Sequence, residues 1–168
     1  MDVNSNKKTT CMKELIDYRN ESLWTELQKR FNITFENSES SEYSCFSIND
    51  DITFYIVPDN LSKEFFTHEM LHVYLRMKDC YIGAGLKHTI KQSKILSAIM
   101  SDILIEHMGN CLDHIKMLPI YLDMGFNREK FLLDYDIHKC SDNELWFLKM
   151  NYWQGKKNYL TTWSLLGL

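Results

Sequence analysis

The stretch FFTHEMLHV (65–73) carries two histidines four residues apart, with a glutamate directly after the first. On an α-helix that spacing projects His68 and His72 from one face, one turn apart, where both imidazoles can bind a single zinc ion. Glu69 is then placed to act as general base toward a water on that ion, the arrangement that lets an HExxH sequence cut peptide bonds. The neighbours Thr67, Met70, Leu71 and Val73 are all uncharged, as a dry metal pocket requires. The rival reading is a pair of satisfied core histidines that happen to sit one turn apart.

The helix that carries them is expected over 61–78. At 100° per residue Leu61, Phe65, His68, His72 and Leu75 share an arc of roughly 80°, while Phe66, Met70, Val73 and Met77 share one on roughly the opposite side. With both faces apolar, the helix belongs in the middle of the domain. Two imidazoles and a carboxylate there must be paired, and a metal pairs them.

A catalytic zinc takes three protein ligands and leaves a fourth position for water. The third is sought on a second long helix, expected over 91–117 and stopped near Pro119. Asp102, Glu106, Asn110, Asp113 and His114 fall on one arc of roughly 120°. Ile95, Ile99 and Ile103 share that arc, which marks it as a buried side. Two ligands compete: Glu106, with Asn110 orienting a histidine, or His114, supported by Asp113 or Asn110. Asp102 and Asp113 stand behind them as carboxylate candidates. The echo of IEH (105–107) in LDH (112–114) keeps both main options on nearly one face.

HEMLH together with EHMGNCLDHIKMLP (106–119) resembles the compact gluzincins, most nearly the ImmA/IrrE family of small zinc peptidases. That family follows HExxH with E-x-x-A-N and a proline nine residues after the Asn, a spacing that Glu106, Asn110 and Pro119 reproduce. Gly109 stands where the family has alanine, and Cys111-Leu112-Asp113-His114 replaces its small apolar residues. The likeness covers roughly 52–119. It implies a zincin-like fold, Glu106 as the third ligand with His114 as the alternative, and cleavage of one specific intracellular protein.

The remaining elements fix the fold class. A helix is expected over 11–31, broken near Asn20, after a polar and frayed 1–10. NITFEN (32–37) reads as a strand, and YSCFSI (43–48) with ITFYIV (52–57) as a hairpin turning at Asn49-Asp50-Asp51. Asp59-Asn60 is expected to cap the histidine helix, and 79–90, with Gly83 and Gly85, to form a loop. Shorter helices follow over 128–135, 141–153 and 158–166, and the aromatics Trp146, Trp153, Tyr159 and Trp163 are read as core. The order of helix, small antiparallel or mixed sheet, then helices makes one α+β domain over 1–168, with the HExxH helix central.

Hydrophobic residues make up 45% of the 168 and charged ones 25%, an ordinary globular balance. The net charge of −4, without a basic cluster, argues against general nucleic-acid binding. Five scattered cysteines without a CxxC pair read as reduced thiols. Neither a secretory leader nor a membrane-spanning run is evident, so a cytoplasmic location is expected. The function expected is a zinc metallopeptidase, a hydrolase with one Zn2+ and a specific protein substrate or regulatory partner. The alternative is a non-catalytic zinc-binding regulatory protein. Tyr74, His107, His138 and Tyr152 are unranked candidates to steady a tetrahedral intermediate.

Overall fold

The computed structural model describes residues 14–132 and 141–153. Helix α1 (Glu21–Arg30) leads into a three-stranded sheet of β1 (Asn32–Asn37), β2 (Ser44–Ile48) and β3 (Asp51–Ile56). Helix α2 (Lys63–Met77) carries HEMLH, and α3 (Ile82–Gln92), α4 (Lys94–Ile99) and α5 (Asp102–Asp123) follow. A 3-10 turn (Arg128–Lys130) and α6 (Asp142–Trp153) complete the described chain. The protein is α+β with a small mixed sheet. Expectations for 1–13, 133–140 and 158–166 lie outside the described residues. Among those described, no helix is long and apolar enough to cross a membrane.

The sheet order is β1-β3-β2, with β1 parallel and β2 antiparallel to β3. Alternation along β3 sends Ile52, Phe54 and Ile56 into the core. The register sets Phe35, Phe54 and Cys45 in one row across the sheet, and Ile33, Ile52 and Ser47 in the next. Cys45 and Ser47 thus stand on the core-side face but on an edge strand, where that face opens toward α2. The hairpin turns at Asn49, whose φ of 51° is a conformation that asparagine tolerates well.

Trp24 of α1, Phe35, Phe54 and Phe66 of α2 form an aromatic cluster with centroids 5.1 to 5.8 Å apart. The chain breaks before α1 at Asn20, where the break was expected. Its buried amide donates to the Leu15 carbonyl at 3.0 Å and to Thr67 Oγ1 at 2.9 Å, joining the entry segment to α2. Ser62 rather than Asp59-Asn60 caps α2, its Oγ accepting from the Phe65 N–H.

Several expectations are corrected beyond α2. The segment expected as a loop is helical α3, since Gly83 lets it lie against Gly109 of α5 and Ile90 is buried. The single helix over 91–117 is interrupted, with Ser93 and Ser101 capping α4 and α5. Pro119 does not end α5, which runs on to Asp123 because Tyr121 is fully buried in the core beyond it. Ile95, Ile99 and Ile103 are accordingly exposed, since the packed turns of α5 hold Ile105, Gly109, Met117 and Tyr121. Within 128–132 there is only the 3-10 turn rather than a helix. Trp146 is 62% exposed, not core.

Candidate metal centre

Helix α2 is buried on both sides, with Phe66, Met70 and Val73 facing the sheet and α1 core, and it turns His68 and His72 toward α5. His68 Nε2 and His72 Nε2 lie 3.2 Å apart. His114 of α5 joins them, and the ligand atoms of the three imidazoles all lie within 4.8 Å of one another. Nitrogens 2.0–2.1 Å from a tetrahedral metal sit about 3.3 Å apart, so the first pair matches and the third lies slightly open.

Other atoms of the cluster fit a metal as well. His72 turns Nε2 toward the cluster and Nδ1 toward Asp113 Oδ2, 4.0 Å away. Asp113 Oδ1 and His68 Nδ1 are buried without a partner at hydrogen-bonding geometry. The ring of Phe131 packs against the cluster, 4.7 Å from His68 and 5.5 Å from His114.

Burial, then the proximity of His72 and His114, brings the His68 imidazole down to a pKa of about 3. Burial and His114 bring His72 to about 4. Both rings are therefore neutral at physiological pH and offer lone pairs. Burial raises the Glu69 carboxyl to about 7, with the thiol and backbone N–H of neighbouring Cys45 working the other way. Burial, followed by the Glu69 carboxylate, raises the Cys45 thiol well above its usual value. Burial also raises Asp113.

Glu106, the residue that the resemblance favoured, does not join the cluster. Its side chain is 68% exposed and pairs with Lys87 of α3 at 3.3 Å. Asp102 lies near the same lysine, at 3.9 Å. Glu106 shares a helix face with His114 but stands eight residues away, about 12 Å along the axis. The structure thus brings His68, Glu69, His72 and His114 together and leaves Glu106 and Asp102 two or more turns off.

Two cavities meet at the histidines among the described residues. One arm, a cavity of about 540 Å³, is lined by Cys45, Ser47, Glu69 and Arg76. The other, about 360 Å³, is lined by Tyr43, Phe65, His107 and Phe131, and both arms share His68, Glu69, Asn110 and His114. Of the candidate donors, His107 therefore faces the cleft, whereas Tyr74 stands under Lys78. His138 and the side chain of Tyr152 lie outside the description. Cys45, Arg76 and Phe131 were not singled out from sequence. A signal existed for Arg76 alone, since it repeats the four-residue step of His68 and His72.

Set against known proteins, the chain matches no protein family's model, no curated protein and no solved structure.

Proposed function

We propose that the chain is a zincin-like zinc endopeptidase with His68, His72 and His114 as metal ligands and Glu69 as general base. The observation that carries this reading is a three-imidazole cluster with a carboxyl beside it where two cavities meet. Three imidazoles satisfy a catalytic zinc and leave a fourth position free. A cavity on each side of the cluster gives room for chain on both sides of a scissile bond, which favours internal cleavage. The resemblance to compact gluzincins then rests on HEMLH and a partner helix, with a histidine in place of the defining glutamate.

A zinc ion held by these residues would lower the pKa of a water and polarise a carbonyl. Glu69, raised by burial to about 7, is the group that would accept a proton from the attacking water and donate it to the leaving amine. Asp113 faces the Nδ1 side of His72, leaving Nε2 toward the cluster, and Phe131 packs against His68. A non-catalytic zinc protein has no use for the carboxyl beside its ligand, and Glu106 is too far off to close the site as a fourth ligand.

The test is zinc content and peptide-library cleavage for wild type and Glu69→Gln. One zinc in both proteins, with cleavage reduced about 10²–10⁴-fold in the variant, is the expected result. Zinc in both with no cleavage by wild type would return the chain to the regulatory reading.

A further inference from the structure

Arg76 extends the histidine stripe by one turn, stepping about 40° round the helix and about 6 Å along it from His72. It lines the larger arm of the cleft together with Glu69 and His72. Its Nη1 donates to Ser47 Oγ on β2, and its Nη2 donates to the Asn49 carbonyl at 2.8 Å. A guanidinium has five N–H donors, so these two bonds leave three unused. Both partners are neutral, so they hold the group in place without cancelling its charge.

Several other cations are paired with carboxylates. Arg19 pairs with Asp17, Arg30 with Asp50, Lys78 with Glu26 and Lys87 with Glu106. Among the described residues, no carboxylate lies within ion-pair distance of Arg76. The acids of the cleft are engaged elsewhere, Glu69 beside Cys45 and Asp113 facing His72. An anchored guanidinium with spare donors, set in a cavity, is suited to a planar anion taken by two parallel N–H bonds.

We infer that Arg76 is a specificity residue that takes a carboxylate of the substrate close to the bond that is cut. This rests on the peptidase reading above. Arg76 lines the same cavity as Glu69 and His72, which sets the carboxylate within a few positions of the scissile bond. Its source is either an acidic side chain within the substrate or a free C-terminus.

The experiment uses the full chain, zinc-loaded and carrying Glu69→Gln so that bound peptides stay intact. The probes are fluorescent alanine hexapeptides: an end-blocked amide, the same amide with one aspartate walked through each position, and the form with a free C-terminal carboxylate. Binding is read by anisotropy, alone and with Arg76→Gln or Arg76→Lys added, with zinc content and melting temperature measured alongside. Aspartate at one or two positions should tighten binding about tenfold, as a charge-assisted pair would. Arg76→Gln should abolish that preference, and Arg76→Lys should keep only part of it.

A gain confined to the free-acid peptide assigns the carboxylate to a C-terminus and supports the inference equally. Equal binding of acidic and neutral peptides, no binding of any acidic peptide, or a preference that survives Arg76→Gln overturns it. If Arg76→Gln does not fold, the lysine variant decides, because an unchanged aspartate preference there removes any role for the fork. The peptidase reading fails separately, if the protein with Glu69 intact binds these peptides but cuts none.

Discussion

At the scale of single residues, the third ligand is the point on which sequence and structure part. Glu106 and His114 fall within one broad arc of α5 but stand about 80° and two turns apart, and which of them reaches the histidines depends on where α5 crosses α2. That crossing is set by tertiary contacts, namely Met117 and Tyr121 in the core and Gly109 against Gly83. HEMLH was readable because its chemistry lies within one helix, whereas the partner required a helix–helix register that no local pattern encodes. Zinc content should therefore fall to near zero in His114→Ala and stay at one per chain in Glu106→Ala, where only an exposed pair with Lys87 is lost. Asp113→Ala should retain zinc but bind it about 10–100-fold more weakly, measured by competition with a chromophoric chelator.

At the scale of elements, the contact between α3 and α5 holds the histidine-bearing turn of α5 in place, and it is built from two glycines with unequal surroundings. A Cβ added at Gly109 would stand 2.7 Å from the Gly83 backbone, too close without moving a helix. A Cβ at Gly83 would meet Gly109 at 3.6 Å, an ordinary contact, and one at Gly85 would meet nothing within 4 Å. Gly109→Ala should thus cost about 1–3 kcal/mol through overpacking. Gly85→Ala should add about 0.5–1 kcal/mol through helix propensity, and Gly83→Ala should be neutral or stabilising, all read by urea denaturation. The same contact explains why α3 was illegible: two glycines in eleven residues read locally as a loop, and only the facing glycine of α5 makes a helix there favourable. The hairpin was legible because alternation and the Asn49 turn both act locally. Pro119 misled in the opposite direction, because Tyr121 gains more from burial beyond it than the helix loses at one missing N–H.

At the scale of the whole molecule, two devices tie parts that are distant in sequence. The first is an ion cluster at the entry to α1. The Asp17 carboxylate accepts from the Arg19 guanidinium at 2.8 Å, also faces Lys63 at 3.5 Å, and is held at a pKa of about 2, chiefly by Arg19. A carboxyl depressed from about 3.9 in the unfolded chain binds fewer protons when folded. Its contribution is complete above about pH 4 and is lost as pH falls toward 2. Asp17→Asn should accordingly be less stable than wild type near neutral pH, with the deficit closing as the pH of urea titrations is lowered through that window. The second is the imidazole cluster, drawn from α2 and α5, where a bound ion would join the sheet-side core to α5. A ligand that binds only the folded state adds RT ln(1 + [L]/Kd), about 4 kcal/mol at a thousandfold excess over Kd. For a chain of this size that corresponds to a melting temperature higher by roughly 8–16 °C. A chelator should remove that increment from wild type and from Glu69→Gln alike, since Glu69 is not a ligand, and should leave His114→Ala unmoved because it has nothing to lose. Equal chelator shifts in all three proteins would place the ion elsewhere on the molecule, and no shift in any of them would mean that the three imidazoles do not hold a metal.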